Sequence, residues 1–194
     1  MVMLTDKKVI ECVPNFSEGR NLDIIDKIAS AVKSTQNVKL LNVEPDKDYN
    51  RTVITFAGEP SGVKEAAFNA ISTASELIDM SRQKGEHPRI GATDVCPIIP
   101  VANATREECV KLANELGSEV GEKLGIPVYL YEDAARSEER RNLENIRKGE
   151  YEGLEQKLRD WIPDYGPAEY NDKVRKSGAT VIGARFFLIA YNVN

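Results

Sequence analysis

At 194 residues the chain is long enough to bury a proper core, as one large domain or two small ones. Its 41% hydrophobic and 29% charged residues are ordinary for a globular protein, and no run approaches the roughly 18 apolar residues of a membrane span. A net charge of -5 argues against a nucleic-acid partner, because phosphate backbones reward basic surfaces, yet it leaves room for a small anion in a local basic pocket.

Residues 1–8 lack the apolar stretch of a secretory signal, and a cytoplasmic protein is expected. Cys12, Cys96 and Cys109 form no CxxC pair and are odd in number, which suits small buried side chains in a reducing compartment. With only one histidine beside them, no metal site is expected. Cys109 follows Glu107 and Glu108, whose charge raises a thiol's pKa and disfavours a cysteine nucleophile.

In chain order, residues 8–13 read as a strand that stops at Pro14. Asn21 caps a helix with Ile25, Ile28, Ala29 and Val32 on one face. Residues 38–43 and 52–57 read as a hairpin across a polar turn. Pro60 opens a long helix with Val63, Ala66, Ala67, Ala70, Ala74, Leu77 and Ile78 on its apolar side. Residues 81–94 are irregular and polar. Residues 95–101 form a strand that Pro97 and Pro100 mark as an edge or irregular one. The box Thr105-x-x-Glu108 starts a helix carrying Ala113, Leu116, Val120 and Leu124. Residues 127–131 are a further strand, 137–148 and 152–160 charged helices, the second leaning Leu154 and Leu158 on the core. Residues 162–178 read as a long polar loop, and 179–193 hold the last strand, placed at 186–191.

The expected class is therefore α/β (α+β). A ferredoxin-like βαββαβ core is extended to a mixed sheet of about six strands with helices on one face, all in a single domain over 1–194. Loops as long as 81–94 and 162–178 within a compact domain are usually functional.

The first of these loops contains Ser81-Arg-Gln-Lys-Gly-Glu-His-Pro-Arg89, three cations, one carboxylate and the chain's only histidine. His87 has the side chain suited to proton transfer near neutrality, as a general acid/base. Arg89 and Lys84 can hold an anionic substrate, Pro88 stiffens the loop, and Gly85 permits close approach of a ligand. By composition alone the run equally suits a solvated surface loop. A second candidate is Val13-Pro-Asn-Phe-Ser-Glu-Gly-Arg20, between the first strand and first helix. There Asn15 and Ser17 can hydrogen-bond a substrate and the helix start favours an anion. A third is Pro163-Asp-Tyr-Gly-Pro167, continuing to Gly178, with Tyr165 and Tyr170 able to stack on a planar ring. There is no P-loop and no GxGxxG.

Seven pieces in order point further: Glu11-Cys-Val-Pro-Asn-Phe-Ser-Glu-Gly19, Asn50-Arg-Thr-Val53, Gly85-Glu-His-Pro-Arg89, Asp94-Val-Cys-Pro97, Pro127-Val-Tyr-Leu-Tyr131, Gly149-Glu-Tyr151, and Gly178-Ala-Thr-Val181 through Ile189-Ala-Tyr-Asn192. Together they resemble the N-terminal subdomain of the glutamate formiminotransferase family. The resemblance implies a folate-dependent transferase of one-carbon and histidine metabolism, moving a formimino group from N-formiminoglutamate to N5 of tetrahydrofolate. Tetrahydrofolate is then a co-substrate, and no metal, nucleic acid or membrane is implied. The family's catalytic histidine falls on His87, and its folate loop on Gly166, Pro167, Ala168, Glu169, Tyr170 and onward to Gly178; Asn15 and Arg89, read from their own runs, are expected as further substrate contacts. Gln83 stands where relatives often carry a second histidine. The family enzyme has a C-terminal subdomain, with the folate site a tunnel between the two, and a habit of dimerising. The chain's end is expected to fall at the boundary between these subdomains, leaving the second half absent. That favours, as an alternative, a non-catalytic folate-binding or partner subunit; a relative acting on 5-formyltetrahydrofolate is another, because the two donors differ by one heteroatom.

Overall fold

The computed structural model describes residues 7–188. Pro14 lacks an N–H, and the first strand is interrupted there. β1 (Val9–Cys12) and β2 (Asn15–Phe16) lie in line between β4 (Arg51–Gly58) and β5 (Thr93–Ala102), antiparallel to both. β3 (Val38–Asp46) folds back on β4 as the expected hairpin, with Val38 opposite Gly58 and Asp46 opposite Arg51. With α1 (Leu22–Lys33) and α2 (Pro60–Leu77) as connections, these strands form the ferredoxin-like βαββαβ arrangement. α3 (Arg106–Glu119) then leads to β6 (Val128–Glu132), and β7 (Thr180–Ala184) slots between β5 and β6, parallel to both. The sheet order is β3, β4, β1/β2, β5, β7, β6. It has seven strands, or six with the interrupted one counted once.

Side chains alternate across this sheet and sort the core into two layers. Ile10, Cys12, Ile54, Phe56, Cys96, Ile98, Val128, Leu130 and Ile182 face α1, α2 and α3. In α1 the buried residues are Ile25, Ile28, Ala29 and Val32, one stripe at helical spacing, and Asn21 accepts from the N–H groups of Asp23 and Ile24. The alanines of α2 let its axis come close to the strands. Each fully buried Ile or Phe contributes about 1.5–3 kcal/mol by leaving water. Helices on one face describes these three long helices. On the opposite face, Val95, Tyr129, Tyr131 and Val181 are covered by two short ones, α4 (Leu143–Arg147) and α5 (Leu154–Asp160), through Ile146, Leu154 and Leu158.

Four local expectations are corrected. β5 is a central strand, not an edge. Its prolines fall where the ladder is irregular: the Pro97 carbonyl accepts from Val13 at the interruption, and Pro100 lies opposite Ile10 beside a register shift. Residues 137–148 are not one helix but a 3₁₀ turn (Glu138–Arg140) followed by α4. The 162–178 segment is not all loop, because Asn171 caps α6 (Asp172–Ser177), accepting from the N–H groups of Lys173 and Val174. The final described strand is β7. Phe186–Leu188, expected in a strand, is exposed and outside any strand, and the rest of that expectation, 189–191, lies outside the described residues.

Candidate active site

The C-terminal end of β2 and the N-terminal ends of β4 and β5 meet at one end of the sheet, and the 81–92 loop crosses it. The loop is held by residues from distant parts of the chain. Asn50, in the left-handed region at φ 50°, accepts from Gly19 N–H (2.9 Å) through its side-chain oxygen and donates to the Lys84 carbonyl (2.8 Å). Gly85 packs against the Tyr49 carbonyl, which a Cβ would approach to 2.4 Å. The close approach that Gly85 permits is therefore by the Tyr49 carbonyl and the Asn50 Cβ. Gln83 donates to the Asn50 carbonyl (3.2 Å) and accepts from Arg89 Nε (2.9 Å), so it joins both ends of the loop.

His87 is brought beside residues absent from its own loop. Arg51 Nη1 lies 2.9 Å from His87 Nε2 and 3.2 Å from Asn15 Oδ1. A guanidinium only donates, so Nε2 is the acceptor and the ring proton sits on Nδ1. Tyr49 meets the imidazole edge-on at 6.4 Å between ring centres. Behind them, buried Asp94 is ion-paired with Arg147 of α4 and accepts from Ile90 N–H (3.0 Å). Burial pushes the Asp94 carboxyl up, against the pull of Arg147 and of that N–H. Burial of the imidazole, with Arg51 and then Arg147 beside it, pushes His87 down to about 4, against a hydrogen bond with the Pro88 backbone. His87 is thus a neutral base at neutral pH. Two guanidiniums and one carboxylate leave the cluster with excess positive charge. Among the described residues Arg51 has no carboxylate within ion-pair distance, and Arg51 Nε and Arg147 Nε are buried without a hydrogen-bond partner.

The other expected site residues separate. Asn15 belongs to the cluster. Arg89, only 6% exposed, turns inward: it pairs with Glu150 (2.9 Å) and Glu152 (2.8 Å), and its carbonyl accepts from Tyr151, which fastens the 149–152 turn to the loop. Lys84, Gly85, Arg89, Gly149, Glu150 and Glu152 line an open groove of about 530 Å³ on that side. Ser17 spends its hydroxyl on the Gly91 carbonyl (2.7 Å). The N–H groups of Arg20 and Asn21, ahead of α1, are taken by the chain's own Glu18 (2.8 and 2.9 Å).

The 166–178 segment splits. Gly178, at φ 68°, packs on Ile90 and Gly91 and so adjoins the His87 loop. Gly166 packs on Ile126 and Gly121 near the start of β6. Ala168 and Glu169 are exposed there, and Pro167 is half-buried. Tyr170 stands 3.3 Å from the Tyr151 hydroxyl, while Tyr165 donates to Asn114 (3.0 Å) beneath Arg136. Arg51, Asp94 and Arg147 are the site residues not singled out from sequence. Arg51 and Asp94 lie inside motifs that carry the resemblance, and that was the available signal. Arg147 had none, since it lies inside a charged helical run.

Residues 9–185 match the family described as the formiminotransferase domain, N-terminal subdomain. Glutamate formimidoyltransferase of Thermoplasma acidophilum is 50% identical over 190 residues, covering 96% of this chain and 61% of that protein. The Streptococcus pyogenes glutamate formimidoyltransferase is 46% identical, with 96% and 62% covered. Formimidoyltransferase-cyclodeaminase of Dictyostelium discoideum is 52% identical, with 96% and 35% covered. The chain thus spans between about a third and three fifths of the length of these curated relatives. With the match running through nearly all of its described residues, the chain belongs to the formiminotransferase family, as an N-terminal subdomain.

Proposed function

We propose that the chain supplies the proton-transfer half of a glutamate formiminotransferase site, with His87 as general acid/base. The observation that carries this reading is the neutral His87 Nε2 beside unbalanced guanidinium charge. The relatives are glutamate formimidoyltransferases, and the family resemblance supplies the substrates of this reading: N-formiminoglutamate as donor and tetrahydrofolate as acceptor.

N5 of tetrahydrofolate attacks the formimino carbon, forming a C–N bond and a tetrahedral intermediate. His87 Nε2 takes the proton from N5. The resulting imidazolium, which the neighbouring guanidiniums make strongly acidic, gives that proton to the glutamate nitrogen. The C–N bond to glutamate then breaks and glutamate leaves as a neutral amine, with no net proton change. The exposed Gly166, Ala168 and Glu169, with half-buried Pro167 and Tyr170 and buried Gly178, are proposed as the folate-facing border. It is supported by lying at the end of the sheet where β5, β7 and β6 begin. Arg89 acts through the loop it fastens. Cys12 and Cys96, free thiols sharing a hydrogen bond at 3.4 Å between sulfurs, fit a reducing, cytoplasmic setting. His87→Ala is expected to lower transfer on the order of 10²–10⁴-fold with an unchanged circular dichroism spectrum. Turnover at the wild-type rate would remove His87 from this role. The greater length of the relatives favours one second reading, a folate-binding or partner subunit that completes its site with another segment.

A further inference from the structure

The cluster around His87 holds two guanidiniums against one carboxylate, and among the described residues no carboxylate is ion-paired with Arg51. On β4, Arg51 shares Nη1 between Asn15 of β2 and His87, and its Nε is buried without a partner. From α4, Arg147 is committed to Asp94 of β5. Tyr49 closes the side toward the β3–β4 turn. Within the loop Lys84 and Glu86 are exposed, and Arg89 is engaged by Glu150 and Glu152. Arg51 is therefore the cation in direct contact with His87 that no carboxylate among the described residues engages, and it also occupies the nitrogen that must carry the proton.

We propose that Arg51 is the receptor for the α-carboxylate of the donor amino acid, and that docking this carboxylate releases His87 Nε2 for proton transfer. The inference rests on the formiminotransferase reading and deepens it. A carboxylate is a better acceptor than an imidazole nitrogen and matches the guanidinium fork in two-pronged geometry. When it takes the Arg51 N–H groups, Nε2 keeps its lone pair and loses both its donor and the repulsion from a bare cation. No covalent bond changes. Spacing selects the donor over folate as the source of the carboxylate. In N-formiminoglutamate the α-carboxylate is on the carbon bonded to the nitrogen that leaves, so one group reaches Arg51 while the other reaches His87, whose nitrogens are 2.9 Å apart. The carboxylates of folate lie beyond its benzoyl ring, far from N5. Donor binding and activation of the base are thus one event, and the base stays blocked in its absence.

His87 is the only histidine, so its ring ¹⁵N signals need no assignment by mutation. The experiment follows their pH titration in this chain, free, with N-formiminoglutamate, and with 5-formyltetrahydrofolate. Free His87 is expected to titrate well below 6.5, near 4, and saturating N-formiminoglutamate to raise the midpoint by about a unit or more. Arg51→Gln is expected to raise the midpoint without ligand, abolish the donor's effect, and weaken donor binding about ten- to a hundredfold. Arg51→Lys covers the case in which the Gln variant unfolds: it keeps the charge without the fork, and its donor affinity is expected to fall at least about fivefold. An unresponsive wild-type His87, an equal response in Arg51→Gln, an undiminished affinity in Arg51→Lys, or a response to 5-formyltetrahydrofolate and not to the donor would each overturn the proposal. The readout is a proton on His87 and not a product. A chain that responds to donor through Arg51 but transfers nothing removes only the enzymatic reading; one whose Arg51→Gln variant transfers as well as wild type removes only this proposal.

Discussion

His87 couples the site to the stability of the fold through its proton. An unfolded histidine takes up a proton near pH 6.5, while folded His87 resists until about pH 4. Between those values the unfolded chain binds more protons, so stability is complete above pH 6.5 and falls as the pH drops toward 4. The limit is about 1.4 kcal/mol per pH unit. Partial exposure of the ring to water screens it, leaving about 2 kcal/mol over the whole window. Urea denaturation of the wild type is expected to show this loss in excess of that of His87→Asn, in which the carboxylates titrate equally and cancel. Identical pH dependence of the two proteins would mean that the ring is not shielded. His87 was legible in the sequence because one histidine in a Gly-Glu-His-Pro-Arg run is conspicuous. Its partners were not: Arg51 lies 36 residues away on another strand, and Arg147 approaches from a helix with a single buried residue. Arg89 shows the opposite difficulty. As the last residue of the motif it reads as a substrate contact, yet Glu150 and Glu152, invisible as partners from sequence, draw it inward.

Elements with a strong apolar period or a cap were readable. The α1 stripe and the Thr105–Glu108 box both occupy the places their residues predict. A short element with one buried apolar residue was not, which is why α6, whose apolar contribution to the core is Val174, was hidden in a polar segment, whereas α5 showed itself through the i, i+4 pair Leu154 and Leu158. Position in the sheet was hidden too. Pro97 and Pro100 are tolerated in central β5 because β1 is itself interrupted and shifted there, a fact of pairing and not of local sequence. The two ends of the sheet should answer mutation differently. Gly178 has φ 68° and ψ -156°, a conformation that is nearly glycine's own, and a Cβ would lie 2.3 Å from the Ile90 carbonyl oxygen. Gly178→Ala is expected to cost about 3 kcal/mol or more in chemical denaturation, combining backbone strain with the clash, and to shift the amide resonances of the His87 loop. Thr105→Ala, at the far end where β5 leaves the sheet, removes a cap worth about 1 kcal/mol and should leave those resonances in place. Equal spectral effects of the two would show that Gly178 does not support the site.

At the scale of the molecule, the sheet's two faces are unequal. α1, α2 and α3 cover one face, whereas α4 and α5 cover the other only over β5, β7 and β6. On β4, Val53, Thr55 and Ala57 remain partly open on that side, as do Val9 and Glu11 on β1. Arg51 and Asn15 lie on this bare half, Arg147 at the edge of the covered half, so His87 stands at a boundary where a ligand meets protein on one side only. Well-held ligands of folate size bury most of their surface in a concave site. The relatives carry further sequence beyond the span this chain matches, and in the proposed function folate lies against this half-open face. Residues 1–194 alone are therefore expected to bind tetrahydrofolate at least about a hundredfold more weakly than a complete glutamate formimidoyltransferase, the equivalent of about 3 kcal/mol of lost contact. Calorimetry on the two proteins side by side measures this directly. The donor is small and, through Arg51, held by charge at the His87 cluster itself, so its affinity should fall far less between the same two proteins. A folate affinity equal to that of the complete enzyme would mean that this face binds the cofactor unaided, and a donor affinity that collapses along with it would place the carboxylate receptor elsewhere than Arg51.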